Sequence, residues 1–299
     1  MSDRIDRNAV TMTPEDDFES HRRHLLAVAY RFLSSVSDAE DIVQETYLRW
    51  RAAEPGDIRD MRAYLTRIAA RLCLDHLKSA RVRREHYVGT WLPEPLVEPS
   101  EPGPDDESAR ADDVSFALLL ALERLSPLER AAFVLHDAFG QSFDEIAATL
   151  DRSAAACRQL AARARRNLRA SRPRFTVTPA QAERMTQAFL RAVNAGDVAA
   201  LTELLTTDAV LRTDSGGKVR ASRRDIIGPD RIARMFVSLA RKYGPARKTM
   251  PARINGLPGL VMKDPFGITQ TLAFDLRDGG IATLYLVRNP EKLRHIHAS

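Results

Sequence analysis

Residues 91–113, WLPEPLVEPSEPGPDDESARADD, carry five prolines and a block of acidic side chains. Proline removes a backbone donor and clustered acids repel one another, so this stretch is not expected to build a core of its own. It reads as a proline-rich acidic linker, and it splits the chain into parts that must find their cores elsewhere. With 299 residues and 44% hydrophobic content, the chain has material for two or three such parts.

Upstream, residues from about 18 to 87 are helical in pattern. Ser37 with Glu40 three residues later predicts a capping box opening a helix that runs to about Arg51. Its apolar face carries Ala39, Ile42, Val43, Tyr47 and Trp50, and its outer face Glu40, Asp41, Gln44 and Glu45. After a turn at 54–57, a long helix places Met61, Leu65, Ile68, Ala69 and Leu72 inward and Arg62, Arg67, Arg71, Lys78 and Arg81 outward, with Arg83 and Arg84 following.

Downstream, residues 114–172 repeat the helical signals. Ser126-Pro127-Leu128-Glu129 and Ser142 with Glu145 are both capping boxes. Asp151 to Ser153 then separate the helix SFDEIAATL from SAAACRQLAARARRNLRA. In this last stretch Cys157, Leu160, Ala161, Ala164 and Leu168 form one narrow seam. Arg158, Arg163, Arg165, Arg166 and Arg169 spread over the opposite arc, and no acid occurs between Asp151 and Glu183. A solvated helix face normally mixes signs, so this one is expected to meet a polyanion. Two short helices joined by a three-residue turn, the second basic, predict a helix-turn-helix, whose second helix enters the major groove of DNA.

Net charge is +5, with a pI near 9.4, yet the sorting is strong: segments 59–84 and 152–174 are basic and 94–113 is acidic. Residues 178–299 differ again, with amphipathic helices near Gln181–Ala195, 197–205 and 228–244, and strands joined by Gly-rich turns in the tail. The two cysteines, Cys73 and Cys157, lie on apolar helix faces and are expected to be buried thiols. No ligand spacing for a metal, no secretory h-region and no run of 18 apolar residues occurs, so a cytoplasmic protein without a membrane span is expected.

The pieces, in their order, resemble an extracytoplasmic-function sigma factor of bacterial RNA polymerase. DAEDIVQETYLRW (38–50) resembles the segment that grips the polymerase clamp helices, and RAYLTRIAARLCLDHLKSARVRRE (62–85) the one that opens and reads the −10 element. SFDEIAATLDRSAAACRQLAARARRNLR resembles the −35-reading helix-turn-helix. WLPEP (91–95), DSGGKV (214–219) and NPEKL (289–293) are similar to three signatures of the SigJ-like group, which carries a C-terminal SnoaL-like domain of the NTF2-like fold.

The fold class implied is a multidomain chain. It comprises an all-α region 2 domain (14–90), the linker (91–113), an all-α region 4 helix-turn-helix domain (114–172) and an α+β SnoaL-like domain (178–299). The resemblance assigns polymerase binding to Glu40, Asp41, Gln44 and Glu45, and the −10 element to Arg62, Arg67, Arg71, Lys78, Arg81, Arg83 and Arg84. It assigns the −35 element to Ser153, Arg158, Gln159, Arg163, Arg165 and Arg166. An interdomain regulatory contact falls to Trp91, Pro93, Asp214, Gly216, Gly217, Lys218, Asn289, Pro290 and Lys292. The partners implied are core RNA polymerase and promoter DNA, with a small ligand in the SnoaL-like pocket and no separate anti-sigma factor required.

Relatives of the NTF2-like fold include isomerases and cyclases. A ketosteroid-isomerase-like site needs a positioned carboxylate base and oxyanion donors, and this segment offers only Tyr243 and Tyr285 with no acid spaced to either. No catalytic residue, cofactor or metal is expected. The alternative to an initiation factor is a stand-alone DNA-binding regulator or, more remotely, a SnoaL-type enzyme fused to a DNA-binding module. Whether the interdomain contact inhibits or assists stays open.

Overall fold

The structure, a computed structural model, describes residues 14–53, 58–85, 87–98, 115–169, 178–277 and 279–296. α1 (Pro14–Leu33), α2 (Val36–Ala52) and α3 (Met61–Glu85) pack around Leu25, Val28, Phe32, Val43, Leu65 and Ala69. The N-cap of α2 is Ser35 rather than Ser37: Ser34 takes a left-handed φ of 56°, and Ser35 Oγ accepts from the Asp38 amide at 3.1 Å. Ser37 belongs to the first turn instead. Thr46 takes a buried place on this helix, while Tyr47 is half-buried.

The second helical unit comprises α4 (Phe116–Leu122), α5 (Pro127–Phe133), α6 (Phe143–Leu150) and α7 (Ala154–Arg169), with α5 continuing as a π turn over Val134–Ala138. Both expected capping boxes, at Ser126/Glu129 and Ser142/Glu145, are formed. Asp151, at φ 54°, ends α6 in the left-handed conformation that reverses the chain into α7. The Cys157–Leu168 seam is buried, as its period requires.

The two helical units do not close separate cores. A single apolar core runs from Phe18 of α1 to Leu168 of α7, and α3 lies against both α5 and α6. Arg130 of α5, only 3% exposed, crosses this boundary. Its Nη1 donates to the Phe32 carbonyl at 2.6 Å and to Glu123 Oε1 at 2.9 Å, and Glu123 also accepts from Ser34 Oγ at 3.0 Å. The composition of 91–113 forbids a core inside that segment; it says nothing about whether its flanks adhere.

The C-terminal unit sets α8 (Pro179–Ala195), α9 (Val198–Glu203) and α10 (Pro229–Tyr243) on one face of a mixed seven-stranded sheet. Its strands are β1 (Val97–Glu98), β2 (Leu205–Asp214), β3 (Ile226–Ile227), β4 (Lys248–Ile254), β5 (Leu257–Lys263), β6 (Thr269–Arg277) and β7 (Gly280–Val287). The order is β1-β4-β5-β6-β7-β2-β3, antiparallel except for the parallel β2–β7 pair. Alternation sends Leu272 and Phe274 of β6 toward Phe189 and Ile232 under the helices. It sends Ala273, Tyr285 and Val287 to the other face, where Leu92, Phe116 and Leu293 cover them. Phe116, at the start of the second helical unit, stacks on Tyr285 with centroids 4.5 Å apart.

The expected linker therefore needs correction at its N-terminal end. Residues 91–98 are built into the molecule: Leu92 is fully buried, and Val97 and Glu98 pair with Ile254 and Arg253 as an edge strand. Residues 99–113 lie outside the described residues.

Candidate functional site

The three short motifs converge on one carboxylate. Asp214, at the end of β2, is fully buried and accepts four hydrogen bonds. Tyr87 Oη (2.6 Å) and the Gly216 amide (3.1 Å) donate to Oδ1, and the Leu92 amide (2.8 Å) and Lys292 Nζ (2.7 Å) to Oδ2. Lys292 also donates to the Leu92 carbonyl and lies 4.2 Å from the Trp91 ring centroid. Asn289 Nδ2 donates to Tyr87 Oη at 2.9 Å, and its own amide donates to the Asp214 carbonyl. Burial, reinforced by the neighbouring Asp214 charge, pushes the Tyr87 hydroxyl well above its ordinary range, which keeps it a donor.

The glycines between them answer to crowding. Gly216 sits at φ 57°, and a Cβ there would lie 2.5 Å from Asn289 Nδ2; one on Gly217, at φ 71°, would meet Val88 at 3.1 Å. Ser215 between Asp214 and these glycines is buried and, unlike them, does not take a positive φ. Pro290 opens the 3₁₀ turn Pro290–Leu293 that aims Lys292 inward, and Lys218 forms an exposed pair with Glu291 at 3.2 Å. Pro93 lies in the buried strap beside Leu92.

A second node ties the strap to α2. Glu94 accepts from the Val36 amide at 2.7 Å and from Ser35 Oγ at 2.9 Å, an anion placed at a helix N-terminus. Its carbonyl accepts from Tyr30 Oη at 2.6 Å, and Tyr30 accepts from Asn255 Nδ2 at 2.7 Å. Asn255 sits in the β4–β5 turn at φ 47° and also exchanges hydrogen bonds with Leu96. His295 Nε2 donates to the Pro95 carbonyl at 2.8 Å. Sequence reasoning missed Tyr30, Tyr87, Glu94 and Asn255. Glu94 lies within the WLPEP motif; a lone tyrosine or a turn asparagine gives no signal until the fold joins them.

On α2, Glu40, Asp41 and Gln44 are exposed on one face, and half-buried Glu45 pairs with Arg49 at 2.8 Å. Glu15, Glu19 and Arg22 of α1 flank the first three across a groove of about 510 Å³. The two α1 acids were not in the expected set, and each has an arginine beside it, Arg51 at 3.9 Å from Glu15 and Arg22 at 3.7 Å from Glu19.

On α3, Arg67 is exposed beside the Tyr64 ring, Lys78 pairs with Asp75 at 2.9 Å, and Arg62 bonds His24 Nδ1 at 3.0 Å. Arg71, expected at the −10 element, is engaged within the chain. Its Nη2 donates to the Ala148 carbonyl at 2.9 Å and its Nε to the Thr149 carbonyl at 3.1 Å, capping the C-terminus of α6. The side chains of Arg81, Arg83 and Arg84 lie outside the described residues.

On α7, Ser153 and Gln159 are exposed, Arg166 is exposed, and Arg158 lies over the Phe143 ring at 5.8 Å. Arg163 pairs with Glu129 at 3.1 Å and half-buried Arg165 with Asp137 at 2.8 Å. The helix is thus less uncompensated than its own sequence suggests, because the acids come from α5 and the turn after it.

The description Sigma-70 region 2 matches residues 18–83, and Sigma-70 region 4 matches 115–168. These are the two helical units, and they define a sigma-type transcription initiation factor. The ECF RNA polymerase sigma factor SigJ of Mycobacterium tuberculosis is 39% identical over 287 residues, 92% of each chain. The probable ECF RNA polymerase sigma factor SigI of the same species is 34% identical over 284 residues, covering 94% of this chain and 95% of that one. The crystal structure of SigJ aligns with a TM-score of 0.75 at 37% identity over 94% of this chain and 98% of that one. The chain belongs to the extracytoplasmic-function RNA polymerase sigma factors, and its C-terminal α+β unit lies within the length it shares with SigJ and SigI.

Proposed function

We propose that this sigma factor binds core polymerase through Glu40, Asp41, Gln44 and Glu45 with the α1 acids beside them, reads the −10 element along α3 and the −35 element along α7, and is restrained in cis by its SnoaL-like domain. Arg71 on the Ala148 and Thr149 carbonyls holds regions 2 and 4 together, and the observation that carries the restraint is that the SnoaL-like domain grips both, with Asn255 on Tyr30 and Tyr285 on Phe116. Because α6 touches both α3 and α7, two helix-packing distances of about 8–10 Å put the two DNA-reading helices within roughly 20 Å. The promoter elements lie roughly 25 base pairs apart, about 85 Å at 3.4 Å per base pair. A chain packed in this way reads one element at a time, so the two helical domains must separate on the assembled promoter.

The SnoaL-like domain sits where it can oppose that separation. Its Asn255 turn holds Tyr30 of region 2, its sheet stacks Tyr285 on Phe116 of region 4, and Asp214 holds the strap between them. Fusion gives these contacts a high effective concentration, so restraint needs no separate anti-sigma protein. The domain boundaries 14–90, 114–172 and 178–299 describe units that separate in this step. A ligand that regulates the step would act at the cleft of about 670 Å³ between α2, the strap and the 3₁₀ turn, lined by Glu40, Trp91, Glu94, Lys292 and His295. In-vitro transcription with core polymerase tests the reading: Asn255→Ala and Lys292→Met, which loosen the SnoaL-like domain from region 2 and from the strap, should raise promoter-dependent initiation, and equal or lower activity in both contradicts restraint.

A further inference from the structure

We propose that the SnoaL-like domain carries a binding surface for single-stranded nucleic acid at the end of the β4–β5 hairpin remote from the sigma domains. The hairpin's Asn255 turn docks on Tyr30, and its open end, Lys248 opposite Lys263, lies about seven residues away, roughly 20 Å at the rise of a strand. There two cations face each other directly across the ladder, an arrangement that destabilises the pair unless an anion joins it. Arg247, whose amide donates to the Lys263 carbonyl, and Lys242 at the end of α10 add two more. None of the four forms an ion pair among the described residues.

Two aromatic rings lie among these cations. Phe266 is 66% exposed, the largest exposure among the large hydrophobics of the described residues, and its ring meets Tyr243 edge-on at 5.4 Å. The turn that presents it is rigid. Asp264, 5% exposed, accepts from the Phe266 and Ile268 amides at 2.9 Å each and from Arg288 Nη2 at 2.6 Å. The one acid at the site is therefore turned inward and neutralised, while a phenyl ring is held out in water. An exposed phenyl ring backed by half-buried Tyr243 and flanked by Lys and Arg without ion pairs suits stacked bases with a phosphate backbone running past them. Duplex DNA buries its base faces and would leave Phe266 without a role.

The test uses the full chain and fluorescence anisotropy with labelled oligothymidylate, oligouridylate and a mixed-sequence duplex across a salt series. Phe266→Ala should weaken oligothymidylate binding by roughly 5-fold or more, and Phe266→Trp should restore it. Lys248→Ala with Lys263→Ala should lower the salt slope for single strands by about 1.4, at about 0.7 per lost phosphate contact. The two oligomers decide between DNA and RNA as the source. Because α3 and α7 are also basic, an iodouracil-substituted oligomer is photo-cross-linked, and adducts are expected on Tyr243 or Phe266. Adducts confined to α3 or α7, wild-type affinity in Phe266→Ala, or displacement by polyglutamate as effective as by the oligomer would each overturn the proposal. Wild-type melting temperatures for these surface variants establish that the fold is intact.

Discussion

Lys292 Nζ lies 2.7 Å from Asp214 Oδ2, with the two side chains 8% and 0% exposed. The pair joins the 3₁₀ turn Pro290–Leu293 to the end of β2, and through the Leu92 amide and carbonyl it fixes the strap that follows α3. Removing one partner of a buried pair leaves a charge with no solvent, which costs about 3–5 kcal/mol.

Lys292→Met is therefore expected to release the strap, with protease sensitivity near residues 87–98 rising and the melting temperature falling. Lys218→Glu touches only the exposed pair with Glu291, worth about 0–1 kcal/mol, and should leave both unchanged. Limited proteolysis and calorimetry of the two variants check the contrast. Equal behaviour would remove Asp214 from its place at the centre of the interdomain contact.

Arg130 is the second target. Burial pulls its guanidinium down to about 10, still far above neutrality, so it remains a cation held by Glu123 and the Phe32 carbonyl. Arg130→Gln should weaken the adhesion between regions 2 and 4 by about 3–5 kcal/mol while each keeps its helices. Far-ultraviolet dichroism should stay near wild type as the scattering-derived dimensions grow.

For the polymerase face, reversing Asp41 together with Glu15 should lower core-polymerase affinity more than reversing Asp41 alone, since both line one groove. Glu45 is already paired with Arg49, and its reversal should matter less. Surface plasmon resonance against core enzyme orders the three. Identical affinities would move the contact elsewhere.

Arg158→Ala and Arg166→Ala should reduce −35-dependent binding. Each arginine that meets only phosphate should lower the salt slope by about 0.9 without altering sequence preference. Arg165→Ala should act more weakly on DNA, because that side chain is half-buried on Asp137. Binding titrations at several salt concentrations distinguish the two groups.

Local signals carried much of this architecture. Capping boxes at Ser126 and Ser142, the Cys157–Leu168 seam and the exposed acids of α2 follow from spacing of a few residues, which one helix enforces alone. What escaped is what two distant segments decide together. Composition marked 91–113 as unable to form a core, yet residues 91–98 borrow one from the sheet. Arg71 carries a surface charge pattern in one dimension and becomes a helix cap in three. Asp214 and Lys292 were found as motif members, but their burial and their link to Leu92 required the fold.

The separation of α3 from α7 tests the central claim most directly. Spin labels at Ser79→Cys and Asn167→Cys, both on exposed positions, would leave the buried Cys73 and Cys157 unlabelled. The free chain should give one short, narrow distance distribution, and adding core polymerase with promoter DNA should lengthen it by roughly 50 Å toward the spacing of the two elements. A long or broad distribution in the free chain, or no lengthening in a transcriptionally competent complex, would contradict the account.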